Sequence, residues 1–413
     1  MESKTVFTFM DNGALPPILV GKLFIDYGKA KETYSFEYDE SWLSSPKHFA
    51  IDPALPLFRG RQYPVDQKLF GCFQDASPDR WGRTLLQRKE RILAVQSKKK
   101  PRKLLDSDFL LGVCDESRMG AVRLSLGINE PFLSPGDEMS IPPFMALRKL
   151  EAASRAFEND ESHLEEKWVR QLLYPGSSLG GARPKATVRD SEGALWLAKF
   201  PSRHDDTDVE AWEKTALDLA GMCNLNVPQT RLQKFSDLGS TLLVKRFDRV
   251  GAKRLPFASA MTFLQKSDGE DASYLDLASI LAENSSAPRT DLEELWKRIV
   301  FNILISNSDD HLRNHGFLHD QTGWRLSPLY DVNPTPYGDS LSLSISFDDA
   351  LMSIDLAMET IALYRLKKNA AKRTVSDMAK IIRDNWQNLA KQNGLSHAAI
   401  EAMRPAFSLA DQG

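Results

Sequence analysis

Asn307-Ser308-Asp309-Asp310-His311-Leu312-Arg313-Asn314 places a carboxylate, Asp309, five residues before an amide, Asn314, and Leu329-Tyr330-Asp331-Val332-Asn333 follows closely. An Asp-x-x-x-x-Asn spacing suits a phosphoryl-transfer loop, where the carboxylate accepts the proton of an attacking hydroxyl and the amide oxygen holds magnesium. Asp331 supplies a carboxylate for a second metal contact. Magnesium takes few protein oxygens together with substrate phosphates, and this set is of that kind. Taken singly, the two segments read as an N-capped loop and a turn. His311 and His315 stand four apart and raise a zinc reading, but no Glu follows the first and no third ligand is evident. His311 is expected to hold the loop by hydrogen bonding, on the nucleotide side of the site.

A second group of residues could handle phosphate. Ser177-Ser178-Leu179-Gly180-Gly181-Ala182-Arg183-Pro184-Lys185 has two adjacent glycines that let a backbone approach an anion closely. It lacks the Gly-Lys-Ser/Thr of a Walker A loop, and a turn between elements is the plain alternative. Leu195-Trp196-Leu197-Ala198-Lys199-Phe200 sets a lysine within an apolar strand. Its ammonium must either reach a partner, such as nucleotide phosphates, or snorkel to water. A Glu on the next helix would steady it in the first case, and Glu210 and Glu213 lie on such a helix. Val244, Lys245 and Phe247 end a strand where a hinge could meet an adenine through backbone groups. Arg246 and Asp248 read more readily as a structural ion pair.

These residues need elements to hold them. Val6 to Met10 and Leu19 to Tyr27 are β-rich and separated by Asp11-Asn12-Gly13, a hairpin signal. Thr33 to Tyr38 can extend that sheet. An amphipathic helix is expected from Arg80 to Val95, with Trp81, Leu85, Ile92 and Val95 as its apolar residues. Met119 to Leu126 reads as a strand, and Pro131 to Pro143 as a break. Strands are expected over Ala186 to Phe200 and Gly239 to Phe247, flanking a helix from Val209 to Met222. From Leu292 onward the chain reads as mainly helical, apart from a hairpin over Phe317 to Leu326 turning at Gln321-Thr322-Gly323. The helix before Asn307 presents Leu292, Leu295, Trp296, Ile299, Val300, Ile303 and Leu304 on one face. A β-rich lobe with one helix, then a helical lobe, is the order of a kinase fold.

The chain has 413 residues, enough for several domains, with 42% hydrophobic and 26% charged residues. A net charge of −3 argues against bulk electrostatic binding to nucleic acid. The dense basic run Lys98-Lys99-Lys100-Pro101-Arg102-Lys103 reads first as a solvated loop, with phosphate or DNA contact as the lesser reading. Cys72, Cys114 and Cys223 are widely spaced and odd in number, which excludes a disulfide framework and suggests buried reduced thiols. With neither a signal peptide nor a long apolar run evident, a soluble cytoplasmic protein without membrane contact is expected.

Together, Ser178 to Lys185, Asn307 to Asn314 and Tyr330 to Asn333 resemble the HipA family, the serine/threonine-kinase toxins of bacterial type II toxin–antitoxin systems. Phe73-Gln74-Asp75-Ala76-Ser77-Pro78-Asp79-Arg80-Trp81-Gly82, and Leu110 to Val113 through Met119 to Val122, resemble the small domain preceding the kinase core in that family. The resemblance spans nearly the whole chain. It implies an α+β, bilobal protein-kinase-like fold with a small N-terminal α/β subdomain and a mainly helical C-terminal lobe. The corresponding divisions are residues 1–130, an ATP-binding β-rich lobe at 145–250, and a catalytic lobe at 251–413. It further implies ATP and Mg2+ as cofactors, Asp309 as base, and Asn314 and Asp331 as metal ligands. Ser178, Gly180, Gly181, Ala182, Lys185 and Lys199 would face the nucleotide, with Glu213 the partner of Lys199. Autophosphorylation is implied at Ser178, with Ser177 the alternative; a phosphoserine there would repel the nucleotide phosphates. The implied partners are a HipB-like helix-turn-helix antitoxin, DNA through the antitoxin complex, and a protein substrate such as an aminoacyl-tRNA synthetase. Asp310 departs from the small residue many members carry, and could raise the pKa of the base or alter metal affinity. Arg183-Pro184 stiffens the loop relative to members with polar residues there. Two other functions compete: a small-molecule kinase of the aminoglycoside or choline type, and a non-catalytic co-repressor module bound to an antitoxin.

Overall fold

The computed structural model describes residues 2–11, 13, 16–28, 31–134, 141–159, 172 and 181–411. The chain forms two compact units, one of residues 1–200 and 246–267, the other of residues 201–245 and 268–413.

In the first unit an antiparallel sheet has the order Glu32–Tyr38, Ile18–Tyr27, Glu2–Met10, Val122–Ser125. The expected hairpin forms, but Met10 pairs with Ile18, so the connection is longer than Asp11-Asn12-Gly13 alone. Alternation along these strands turns Val6, Val20, Leu23, Ile25, Tyr34 and Phe36 into a core closed by Trp42, Phe70 and Phe73. Gly21 lies where a Cβ would come within 2.2 Å of the Glu37 carbonyl, so only glycine lets these strands approach.

The helix Arg80–Gln96 is N-capped by Asp79, whose Oδ1 accepts from Gly82 N at 2.8 Å. Its apolar face differs from the periodicity reading. Trp81 and Leu85 are buried, whereas Val95 is 76% exposed and Ala94 turns inward instead. Lys185–Arg189 and Leu195–Lys199 form a hairpin in which Lys185 pairs with Lys199.

Arg246 and Asp248 form the expected structural ion pair, with Nη2–Oδ2 at 2.6 Å and both side chains buried. Gly120 N also donates to Asp248, and Arg246 donates to the carbonyls of Ser117 and Arg118. Burial alone would raise the Asp248 carboxyl, but Arg246 and Arg249 hold it down at about 2. This network fixes Met119-Gly120-Ala121-Val122 within the first unit.

The second unit contains the helix Val209–Met222 and the hairpin Thr230–Ser236 with Gly239–Lys245. It continues through the helices Tyr274–Asn284 and Pro288–Leu304, the hairpin Gly316–His319 with Trp324–Leu326, and the long helix Lys368–Gln392. All seven apolar residues expected on the face of Pro288–Leu304 are buried. Residues 327–353 form a stretch without helix within this mainly helical part. Trp386 stacks on Phe407 at 4.3 Å, and Phe407 lies 6.3 Å from Trp212 on Val209–Met222. All three cysteines are free and buried.

Candidate active site

The helix Pro288–Leu304 delivers the chain to a loop that is fixed at Asp310, directly after Asp309. Asn302, a polar position in an otherwise apolar helix end, donates from Nδ2 to Asp310 Oδ2 at 2.8 Å. Tyr274 Oη donates to the same oxygen at 2.5 Å, and His315 Nε2 lies 2.9 Å from it. Asp310 is 2% exposed. Burial alone would raise its carboxyl, yet His315 first, then the Tyr274 hydroxyl and His311, hold it below the ordinary value. Asp310 is therefore the buried anchor of the loop. It still contributes to raising the Asp309 carboxyl, though least among the causes.

The sequence assigns the bracing hydrogen bond to His311 and gives His315 no part. Among the described residues His311 Nδ1 is buried without a hydrogen-bond partner, while His315 braces the loop through Asp310 and meets the Tyr274 ring edge-on at 5.8 Å.

Asp309, Asn314 and Asp331 come together in the second unit. Asn314 Nδ2 donates to the Asp309 carbonyl at 3.1 Å and reaches the Asp331 carbonyl at 3.5 Å. Its Oδ1 is buried with no partner among the described residues, as is Asn333 Oδ1. Buried acceptors left unsatisfied call for a water, an ion or a ligand. Burial raises the Asp309 carboxyl above its ordinary value, and Asp331 pushes in the same direction while His311 opposes. Two carboxylates and an amide oxygen fit a magnesium ion that takes its remaining ligands from phosphates and water. Among the described residues no cluster of three or more His, Cys, Asp or Glu could hold a metal by itself.

Tyr330 and Asp331 are locked in place. Tyr330 Oη donates to the Arg313 carbonyl at 2.8 Å, and Asp331 N donates to Glu213 Oε1 at 3.2 Å. Asp331 has φ of 59°, a left-handed conformation that costs a non-glycine residue about 1–3 kcal/mol and is maintained only by its surroundings. Glu213 thus reaches the backbone of the proposed metal ligand, a contact that helix periodicity could not reveal. Asn307 Oδ1 accepts from Asn333 N at 3.3 Å and ties the two motifs together again.

The phosphate-end residues are placed as follows. Ser177, Ser178 and Gly180 lie outside the described residues. Gly181 is exposed with φ of +87°, a conformation that favours glycine. Ala182 is exposed. Lys185 Nζ is 2.9 Å from Asp79 Oδ2 in a buried ion pair, a partner the sequence reading missed. Lys199 is 8% exposed. Val244 is buried in the strand Gly239–Lys245, and Lys245 N donates to the Gln229 carbonyl at 2.8 Å. That N–H is already engaged, which narrows a backbone hinge to other groups. The Phe247 and Phe257 rings lie 6.4 Å apart.

Comparison with known proteins adds a lineage to this geometry. Residues 177–386 match the family model described as HipA-like C-terminal domain, and residues 15–125 the one described as HipA N-terminal domain. Y4dM of Sinorhizobium fredii is 27% identical over 209 residues, which span 46% of this chain and 50% of that protein. A Haemophilus influenzae protein is 26% identical over 258 residues, spanning 56% of this chain and 71% of the relative. Both are named as kinases, an activity their names give as assumed rather than demonstrated. The chain thus spans only half the length of Y4dM. Among solved structures, HipA of Shewanella oneidensis, in a complex with HipB and its operator DNA, has a TM-score of 0.69 at 16% identity. The match covers 98% of this chain and 97% of that one, and the mixed α/β fold is shared. No helix among the described residues is long and apolar enough to cross a membrane.

Proposed function

The chain belongs to the HipA family, and from that premise we propose that it is an ATP- and magnesium-dependent protein serine/threonine kinase that restrains growth as a toxin. The observation that carries this reading is the convergence of Asp309, Asn314 and Asp331, with Asn314 Oδ1 buried and lacking a partner among the described residues. Asp309 takes the proton of the attacking hydroxyl and orients its oxygen for in-line attack. The Asn314 amide oxygen and the Asp331 carboxylate would hold magnesium, which when bound neutralises charge on the triphosphate. Glu213 keeps Asp331 in its left-handed conformation through the backbone N–H. Lys199 contacts the phosphates, while Gly181 and Ala182 form part of the loop covering them. Phe247 and the end of the strand at Val244 serve the adenine.

The partner under this reading is a HipB-like helix-turn-helix antitoxin through which DNA is reached, and the substrate is a protein of the translation apparatus, such as an aminoacyl-tRNA synthetase. The complex reported for the Shewanella oneidensis protein supports the antitoxin part. Autophosphorylation at Ser178, or Ser177 beside it, would shut the enzyme off by charge repulsion.

Intact-mass measurement after incubation with ATP and magnesium tests the proposal, with wild type beside Asp309→Gln. A gain of one phosphate in wild type alone, mapped to Ser178 or Ser177, is expected. No gain from unphosphorylated protein that binds ATP would favour a small-molecule kinase or a co-repressor module.

A further inference from the structure

We propose that Asp79, in the N-terminal part of the chain, is a positioning residue for the phosphate end of the site and acts through Lys185. The inference rests on the kinase reading above and adds a residue to it.

Asp79 uses its two oxygens differently. Oδ1 accepts from Gly82 N and caps the helix Arg80–Gln96, while Oδ2 lies 2.9 Å from Lys185 Nζ. Both side chains are only 3% exposed. Two residues on, Trp81 Nε1 donates to the Lys185 carbonyl at 3.0 Å. The Trp81 indole is itself held edge-on against Phe157 at 5.1 Å. One short segment therefore grips the head and the backbone of Lys185. From there Lys185 Nζ reaches 3.5 Å to the Gly181 carbonyl, at the left-handed turn of the glycine loop. The leg from Gly181 to Lys185 is braced from the Asp79 helix cap.

Strand register extends the effect. Lys185 and Lys199 are direct partners in their antiparallel pair, so their side chains share a face. Like charges placed opposite one another repel. The Asp79 carboxylate offsets the charge of Lys185 and eases the like-charge repulsion between it and Lys199 opposite. Without it, Lys185 would be a buried ammonium deprived of this carboxylate, and such a group shifts or drags its backbone.

Asp79→Asn separates the two duties, because asparagine caps a helix about as well as aspartate but carries no charge. Nucleotide affinity would be measured with a fluorescent ATP analogue and magnesium, and the KM for ATP and kcat from phosphate incorporation. Wild type, Asp79→Asn, Lys185→Met, the double variant and Trp81→Phe would be compared, each checked for folding by its melting temperature. Asp79→Asn is expected to raise Kd and KM for ATP at least tenfold with kcat changed less than threefold. The double variant should be no weaker than Lys185→Met alone, since Asp79 works through that lysine. Trp81→Phe should weaken binding about threefold by releasing the Lys185 carbonyl.

Unchanged affinity in folded Asp79→Asn would overturn the inference, as would losses that add in the double variant. Should Asp79→Asn fail to fold, unchanged affinity in folded Trp81→Phe would do the same. A wild type that neither binds the analogue nor incorporates phosphate would instead overturn the kinase reading itself.

Discussion

Tyr274→Phe tests whether the buried anchor at Asp310 sets the stability of the loop that carries Asp309. The substitution removes one hydroxyl and leaves the ring, so it opens no large cavity and keeps the edge-on contact with His315. What is lost is an O–H donor to a buried carboxylate at 2.5 Å. That hydroxyl is a dependable donor, because burial and then Asp310 push its pKa well above the ordinary tyrosine value. A hydrogen bond to a charged group contributes about 1.5–3 kcal/mol, so a loss of about 2 kcal/mol is expected. For a cooperative unit of this size, that corresponds to a fall in Tm of about 4–8 °C. Circular-dichroism melts of wild type, Tyr274→Phe, Asp310→Asn and the double variant would measure it. The double-variant cycle should show a coupling of at least about 1 kcal/mol, because both residues belong to one network. Since Asp310 adjoins Asp309, kcat should fall while the KM for ATP stays near wild type. A Tm within 1 °C of wild type, or strictly additive effects, would refute the anchor.

Other substitutions probe separate parts of the chain. Asn314→Ala removes the buried Oδ1 that has no partner and should raise the magnesium concentration for half-maximal phosphate incorporation more than tenfold; metal titrations read this directly. Asp248→Ala strands Arg246 and Arg249 in the buried network and should cost about 3–5 kcal/mol in urea titration. Asp75 accepts from Ser259 N and Thr262 Oγ1, yet burial raises its carboxyl from 3.8 to about 6. The folded state then holds a proton that the unfolded chain releases, so this group's contribution is greatest below its ordinary value. It should decline by about 3 kcal/mol as pH rises through that window to about 6, and Asp75→Asn should flatten the slope in urea titrations at successive pH values.

The elements that carry the site were legible where the signal is local. Val209–Met222 and the hairpin around Gln321-Thr322-Gly323 follow from spacing and turn residues within a few positions of each other. The buried face of Pro288–Leu304 follows in the same way from the helical repeat. The same reasoning failed at Val95, because periodicity reports a stripe of apolar residues but not where the covering layer stops. Setting aside a zinc pair left His311 to hold the loop, whereas His315 is the histidine that stands against Asp310. Asn302 was the available signal, an amide within an apolar helix end, and it marks where the helix turns to the loop.

Residue type and spacing by themselves determined which groups are proposed for phosphoryl transfer: Asp309 and Asn314 five apart, Asp331 following, and a glycine pair upstream. These are short-range facts, set by what a metal and a hydroxyl require of neighbouring side chains. Only the tertiary structure decided what each carboxylate does. Asp309 and Asp310 are adjacent and chemically identical, yet Tyr274, 36 residues away, claims one as a buried anchor. Asp79 and Trp81 close on Lys185 across more than a hundred residues of chain. A carboxylate's role depends on burial and on the donors facing it, and both are products of long-range packing.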